Sequence, residues 1–170
     1  MSLPIQSDDT CGSIMATRYH VLTAGMSLTE CVQALLTNQV LAMPVVDGNG
    51  KYMGQFRKNL LIASILPQVA VHDPRFDRIA RMIDGGVLTE TMEDVRERFS
   101  AIADKPVSRY LDTDTPVLRP EQPLVATMFY LFHGRNFLPV VEPDSGLLVG
   151  VISAWDILEK IIHGAGSPAR

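Results

Sequence analysis

The sequence predicts an α/β (α+β) protein in which one β-α-β-β-α unit occurs twice, with a helical insertion between the copies. Three observations carry this. Leu28-Thr29-Glu30-Cys31-Val32 has a counterpart in Leu124-Val125-Ala126-Thr127-Met128, 96 residues further on. Met43-Pro44-Val45-Val46-Asp47 returns as Leu138-Pro139-Val140-Val141-Glu142 at an offset of 95, and Gly54 returns as Gly150 at 96. A spacing that recurs in this way marks a repeated supersecondary unit.

Each element follows from local physics. In the first copy a lead-in strand, Val21-Leu22, precedes an S-x-x-E capping box made by Ser27 and Glu30. Leu28, Cys31, Val32, Leu35 and Leu36 then form a helical stripe. A short apolar strand (41–46), the turn Asp47-Gly48-Asn49-Gly50, a second strand (52–56) and a closing helix (58–66) complete the unit. The second copy has a lead-in at Val117-Leu118, Pro123 preset for a first helical turn, and a stripe of Leu124, Met128, Leu131 and Phe132 ended by Gly134. Strands at 137–141 and 147–152 flank Pro143-Asp144-Ser145-Gly146, and a helix at 154–162 closes it. The expected division is an arm (1–12), repeat one (13–66), the insertion (67–106), repeat two (107–163) and a tail (164–170).

The insertion has its own punctuation. Asp73-Pro74 starts a helix, Phe76, Ile79, Ala80 and Ile83 share a face, and Gly85-Gly86 stops it. Thr91 with Asp94 caps another, bearing Val95, Phe99 and Ile102. The mixed charges of these helices, including Asp77, Arg81, Glu93 and Arg98, mark a solvated face, with a partner- or self-docking surface as the sharper alternative.

Composition bounds the function. The chain of 170 residues is 46% hydrophobic and 20% charged, the balance of an ordinary globular protein. Fifteen basic against nineteen acidic residues, with no basic run, argue against nucleic acid as a partner. No apolar stretch is long enough to span a bilayer, and residues 1–11 carry no secretion signal, so no membrane and a cytoplasmic location are expected. Cys11 and Cys31 read as reduced thiols. His20, His72, His133 and His163 lack metal-ligand spacing, and no nucleophile with a partnered base emerges, so neither a cofactor nor an enzyme is expected.

One pair of residues carries chemistry of its own. Ser153 stands where a strand passes into a helix, and free backbone N–H groups there attract a phosphate. Asp156, one turn on, offers a carboxylate that accepts both hydroxyls of a ribose. The structural alternative is a Ser153 N-cap with Asp156 complementing the helix dipole.

The twin pattern x-x-P-V-V-[DE]-turn-hh-G-hh, closed by Gly150-Val151-Ile152-Ser153-Ala154-Trp155-Asp156-Ile157-Leu158, resembles a tandem pair of cystathionine-β-synthase (CBS) domains, a Bateman module. The resemblance covers residues 13–66 and 107–163. It implies two units packed sheet to sheet about a pseudo-twofold axis, with clefts that in many relatives hold adenosine-containing ligands. By the family's pattern, adenine would lie near Thr115, Pro116 and Val117 and against Phe137 and Leu138, with Arg135 and Asn136 toward a polyphosphate. Each of these has a plainer reading as strand, core or solvated side chain. Repeat one departs at both decisive positions, Arg57 for the hydroxyl residue and Leu60 for the carboxylate, so one intact site per chain is expected. The resemblance thus implies a regulatory module that binds an adenine nucleotide (AMP or ATP) or an S-adenosyl compound and signals to an unknown effector protein. The alternative is a structural dimerisation module. It also implies a homodimer, for which Leu61, Ile65, Ile157 and Ile161 on the closing helices are candidates.

Overall fold

A computed structural model describes residues 10–67, 76–135 and 137–163. In chain order the elements are α1 (Cys11–Ile14), β1 (Leu22–Thr23), α2 (Leu28–Asn38), β2 (Ala42–Val46), β3 (Tyr52–Arg57), α3 (Lys58–Ile65), α4 (Phe76–Asp84), α5 (Met92–Ser100), a 3-10 turn (Val107–Arg109), α6 (Leu124–Phe132), β4 (Phe137–Val141), β5 (Leu148–Ser153) and α7 (Ala154–His163). The mixed α/β class and the two repeats are as the sequence predicts. The Asp73-Pro74 helix start, His72, Asn136, the side chains of Phe76 and His163, and the tail at 164–170 lie outside the described residues, as does most of the N-terminal arm.

Helix α2 begins with the expected capping box. Glu30 N–H donates to Ser27 Oγ at 3.3 Å, and Ser27 N–H donates to the Glu30 carboxylate at 2.8 Å. Helix α6 begins one residue later than the proline reading implies, with Pro123 as its extended N-cap, and Gly134 ends it at φ 82°. The two hairpins share one register: Gly54 lies opposite Val45, and Gly150 opposite Val140. Their lead-ins differ. In repeat one β1 runs parallel to β2, and Ala24 N–H reaches Val46 O at 3.0 Å. In repeat two only Leu118 bridges Val140, because Pro120, which stands 96 residues after Ala24, has no N–H to give.

Each lead-in segment also crosses to the other repeat. Ala16 forms an antiparallel bridge with Val151 of repeat two, and Asp112 forms one with Gln55 of repeat one. Thr10 pairs with Pro123, and Ser27 with Pro106. Within each set the partners are related by the same shift of 96 residues, and Lys51 pairs with Leu147, its own equivalent. This is the pseudo-twofold axis. The cores show the exchange as well. Val107 is buried among Leu22, Leu28, Cys31, Met43, Val45 and Phe56 of repeat one, while Cys11 and Ile14 are buried among Leu118, Leu138, Val140 and Ile152 of repeat two. Each such side chain contributes about 1.5–3 kcal/mol on burial. Both cysteines are free and buried, and burial, reinforced by Glu30, pushes the Cys31 thiol up to about 11.

The insertion packs on repeat one. Phe99 and Ile102 close its core, and the carbonyls of Lys105 and Ala103 accept the N–H groups of Leu28 and Thr29 at 3.1 Å each, satisfying the first turn of α2. Arg98 corrects the reading of a wholly solvated face. Its Nε donates to Ile65 O at 2.6 Å, and it pairs with Glu90, so it fastens α5 to the end of α3. The expected self-association residues are corrected too. Leu61 and Ile157 pack inward on the two cores and Ile65 is half-buried, leaving Ile161, at 68% exposure, on the outside. Among the described residues no helix is long and apolar enough to cross a membrane.

The exchange leaves no room at Gly54. It holds φ +150°, and an added Cβ would stand 3.0 Å from Asp112 O and 3.1 Å from Leu111 Cβ. Gly54→Ala is expected to cost about 1–3 kcal/mol, seen as a lowered midpoint in calorimetry. Gly48→Ala, which meets nothing within 4 Å, is the control and should change little.

Candidate functional site

Strand β5 delivers Ser153 to the first turn of α7, and Asp156 returns to it from three residues on. Ser153 N–H and the Ser153 hydroxyl both donate to Asp156 Oδ2 at 2.6 Å. Asp156 thus caps the backbone N–H of Ser153, the returning half of a capping box. Capping occupies one carboxylate oxygen, and Oδ1 takes no hydrogen bond from the described residues.

Ser153 lines a cavity of about 510 Å³. Its other walls are Gln39 to Pro44, where α2 passes into β2, the lead-in residues Tyr19 and His20, and Phe137, Val151 and Trp155. The cavity thus lies between the repeats, with Ser153 from repeat two facing residues of repeat one. Tyr19 secures the lead-in by donating its hydroxyl to Leu148 O at 3.0 Å, and burial raises its phenol above the ordinary value. Trp155 stands at the rim, 78% exposed.

At the pseudo-symmetric position the chemistry is different. Arg57, the equivalent of Ser153, donates from Nη1 to Asp112 Oδ2 at 2.7 Å. The Thr115 hydroxyl donates to the same oxygen at 3.0 Å, and Asp114 N–H donates to Oδ1 at 3.0 Å. Arg135 Nη1 lies 3.7 Å from Asp112 Oδ2 and 3.5 Å from Thr115 Oγ1. Burial works to raise the Asp112 carboxyl, but the Arg57 hydrogen bond, with those from Asp114 and Thr115, outweighs it and holds the group below the usual carboxylate range. Leu60 stands in α3 where Asp156 stands in α7, so the only carboxylate in this described cluster comes from the exchanged lead-in. The Tyr52 hydroxyl, on the same strand as Gln55 and Arg57, is buried without a partner.

The residues singled out from the sequence therefore divide. Ser153 and Phe137 line the cavity, and Asp156 joins them through Ser153. Thr115 and Arg135 sit with Arg57 and Asp112. Leu138 is wholly buried core, Val117 is 45% exposed, and neither it nor the half-buried Pro116 lines the cavity. Sequence reasoning missed Tyr19, His20, Gln39, Trp155 and Asp112. The 96-residue offset holds the signal for two of them, since Tyr19 and His20 are the equivalents of Thr115 and Pro116.

A model of the CBS domain family matches residues 11–65 and 107–163. Among solved structures, the CBS-pair protein CBSX2 from Arabidopsis thaliana is 20% identical, with a TM-score of 0.66 over 90% of this chain and 94% of that one. CBSX2 solved in complex with AMP is 21% identical, with a TM-score of 0.62 over 90% and 96%. CbpB in complex with c-di-AMP is 17% identical, with a TM-score of 0.62 over 90% and 84%. No curated protein matches the chain.

Asp112→Ala should leave Arg57 half-buried and unpaired and cost about 1.5–3 kcal/mol at pH 7. The folded Asp112 titrates lower than the unfolded one, so its contribution is complete above about pH 4 and is lost as acid carries the pH through the folded value. Denaturant unfolding of the wild type and the variant should therefore differ at pH 7 and converge in acid.

Proposed function

The chain belongs to the CBS domain family, and from that premise we propose that it is a regulatory module whose Ser153 cleft binds an adenosine-containing ligand. One observation carries the reading: Asp156 is held by Ser153, which lines a 510 Å³ cavity, and its second carboxylate oxygen takes no hydrogen bond from the described residues. The cavity falls within the range of roughly 300–1,000 Å³ for small-molecule sites. A carboxylate fixed in this way accepts the 2′- and 3′-hydroxyls of a ribose, and the apolar run from Val40 to Met43 with Phe137 forms a slot for a planar base. The AMP and c-di-AMP complexes of proteins with this fold support the same class of ligand. In this reading the chain catalyses nothing. It converts occupancy of the cleft into a changed surface for an effector protein.

The active unit in this proposal is a homodimer built on repeat two. Helix α6 bears no charged residue on any face, and a helix apolar all round is a buried helix. Yet Phe132 is 86% exposed, Val125 71% and Phe129 60%, and the outer face of α7 adds Trp155 at 78%, Ile161 at 68% and Ile162 at 76%. Together these exposed residues present on the order of 1,000 Å² per chain, taking about 150–250 Å² for an aromatic residue. A stable interface needs about 800 Å² from each partner. In this proposal a second copy of the chain covers this face.

Asp156→Ala is expected to weaken adenosine-ligand binding about tenfold or more in titration calorimetry, and Leu60→Ala to leave it nearly unchanged. Equal effects, or two ligands per chain, would overturn the single-cleft reading. Ile161→Glu should convert a dimer into a monomer in light scattering at micromolar concentration. A monomeric wild type would remove the dimer from the proposal.

A further inference from the structure

The lining of the Ser153 cleft names the charge class of its ligand. Among the described residues, none that lines it is Lys or Arg. Arg57 and Arg135 stand at the pseudo-symmetric position and face Asp112. The N-terminus of α7 would ordinarily attract a phosphate, but the Asp156 carboxylate already accepts the Ser153 N–H and presents a negative charge at that end. A polyphosphate brought to this turn meets a like charge with no Lys or Arg among the described lining residues to offset it, on a chain of net charge −4. Aromatic groups, by contrast, are plentiful: Tyr19, His20, Phe137 and Trp155 line the same cavity. Such rings stack on a base and attract a desolvated cation over their faces.

We propose that this cleft selects the nucleoside part of its ligand against phosphate, so that adenosine or a cationic S-adenosyl sulfonium binds in preference to ATP. The inference rests on the adenosine reading above and narrows it. The ribose hydroxyls go to the free side of Asp156, the base to the slot between Val40 and Phe137, and the 5′ substituent toward Tyr19, His20 and Trp155.

Titration calorimetry of the full chain at pH 7.5 with adenosine, S-adenosylmethionine, AMP and ATP separates the outcomes. The expected order places adenosine and S-adenosylmethionine at least tenfold tighter than ATP, at one ligand per chain. Asp156→Asn should narrow that gap, because it removes the charge that repels phosphate while keeping a hydrogen-bonding group for ribose. ATP binding as tightly as adenosine, or tighter, would overturn the charge selection and leave the adenosine site standing. Failure of all four compounds to bind would overturn the adenosine reading itself, and with it this inference.

Discussion

The chain segment that leads into each repeat is hydrogen-bonded to the sheet of the other repeat, and the rest of the molecule depends on that exchange. Ala16 closes the edge of β5, Asp112 closes the edge of β3, and the side chains beside them, Cys11 and Ile14 on one side and Val107 on the other, complete cores to which they do not belong in sequence. A two-stranded hairpin is marginal by itself. Here each hairpin gains a further edge and several buried side chains from its partner, so neither half has a complete core alone. Gly54 and Gly150 mark where the crossing segments pass closest, the first against the Asp112 carbonyl and the second against the Met15 side chain.

The same exchange explains why the two strand-to-helix junctions differ although their scaffolds match. A cleft wall here comes from three places: the strand-to-helix junction of one repeat, the helix-to-strand junction of the other, and a lead-in. In the first cleft the junction supplies its own carboxylate, since Asp156 is one helical turn from Ser153. In the second, Leu60 offers none, and Asp112 arrives from 55 residues away to meet Arg57. The first arrangement is local and leaves an oxygen for a guest. The second is long-range and engages both carboxylate oxygens, Oδ1 with Asp114 and Oδ2 with Arg57 and Thr115.

Much of this was legible from the chain alone because it is governed by near neighbours. The capping boxes at Ser27–Glu30 and Thr91–Asp94, the hairpin turns, the glycine ending α6 and the Ser153–Asp156 turn all involve residues within four positions of one another. The repeat made the second copy legible from the first. What could not be read was which surfaces meet. The grouping of Thr115 and Arg135 with Ser153 assumed that each repeat builds its own cleft, whereas the exchange sends them to Arg57 and brings Tyr19 and His20 to Ser153. No periodicity encodes such a crossing. Arg98 was misread for a related reason, because a charge on an amphipathic helix looks solvated until the helix that it fastens is known.

The insertion gives the two halves unequal outer surfaces. Helix α2 carries Thr29, Glu30, Gln33 and Thr37 outward beside the exposed Leu36, and α5 is fastened to the end of α3 by Arg98. The helical side of repeat one is therefore largely polar on one helix and partly overlaid on the other from within the chain. The equivalent helices of repeat two have neither feature, for α6 bears no charge and α7 exposes Trp155, Ile161 and Ile162. In the proposed dimer this inequality directs association to one end. Trp155 connects that end to the cleft, since it lines the cavity and also belongs to the exposed row. Under the proposed function, a second copy on α7 would change the surroundings of Trp155 and a ligand in the cleft would change the surface offered for association, so the two equilibria would be linked in both directions by the same free energy.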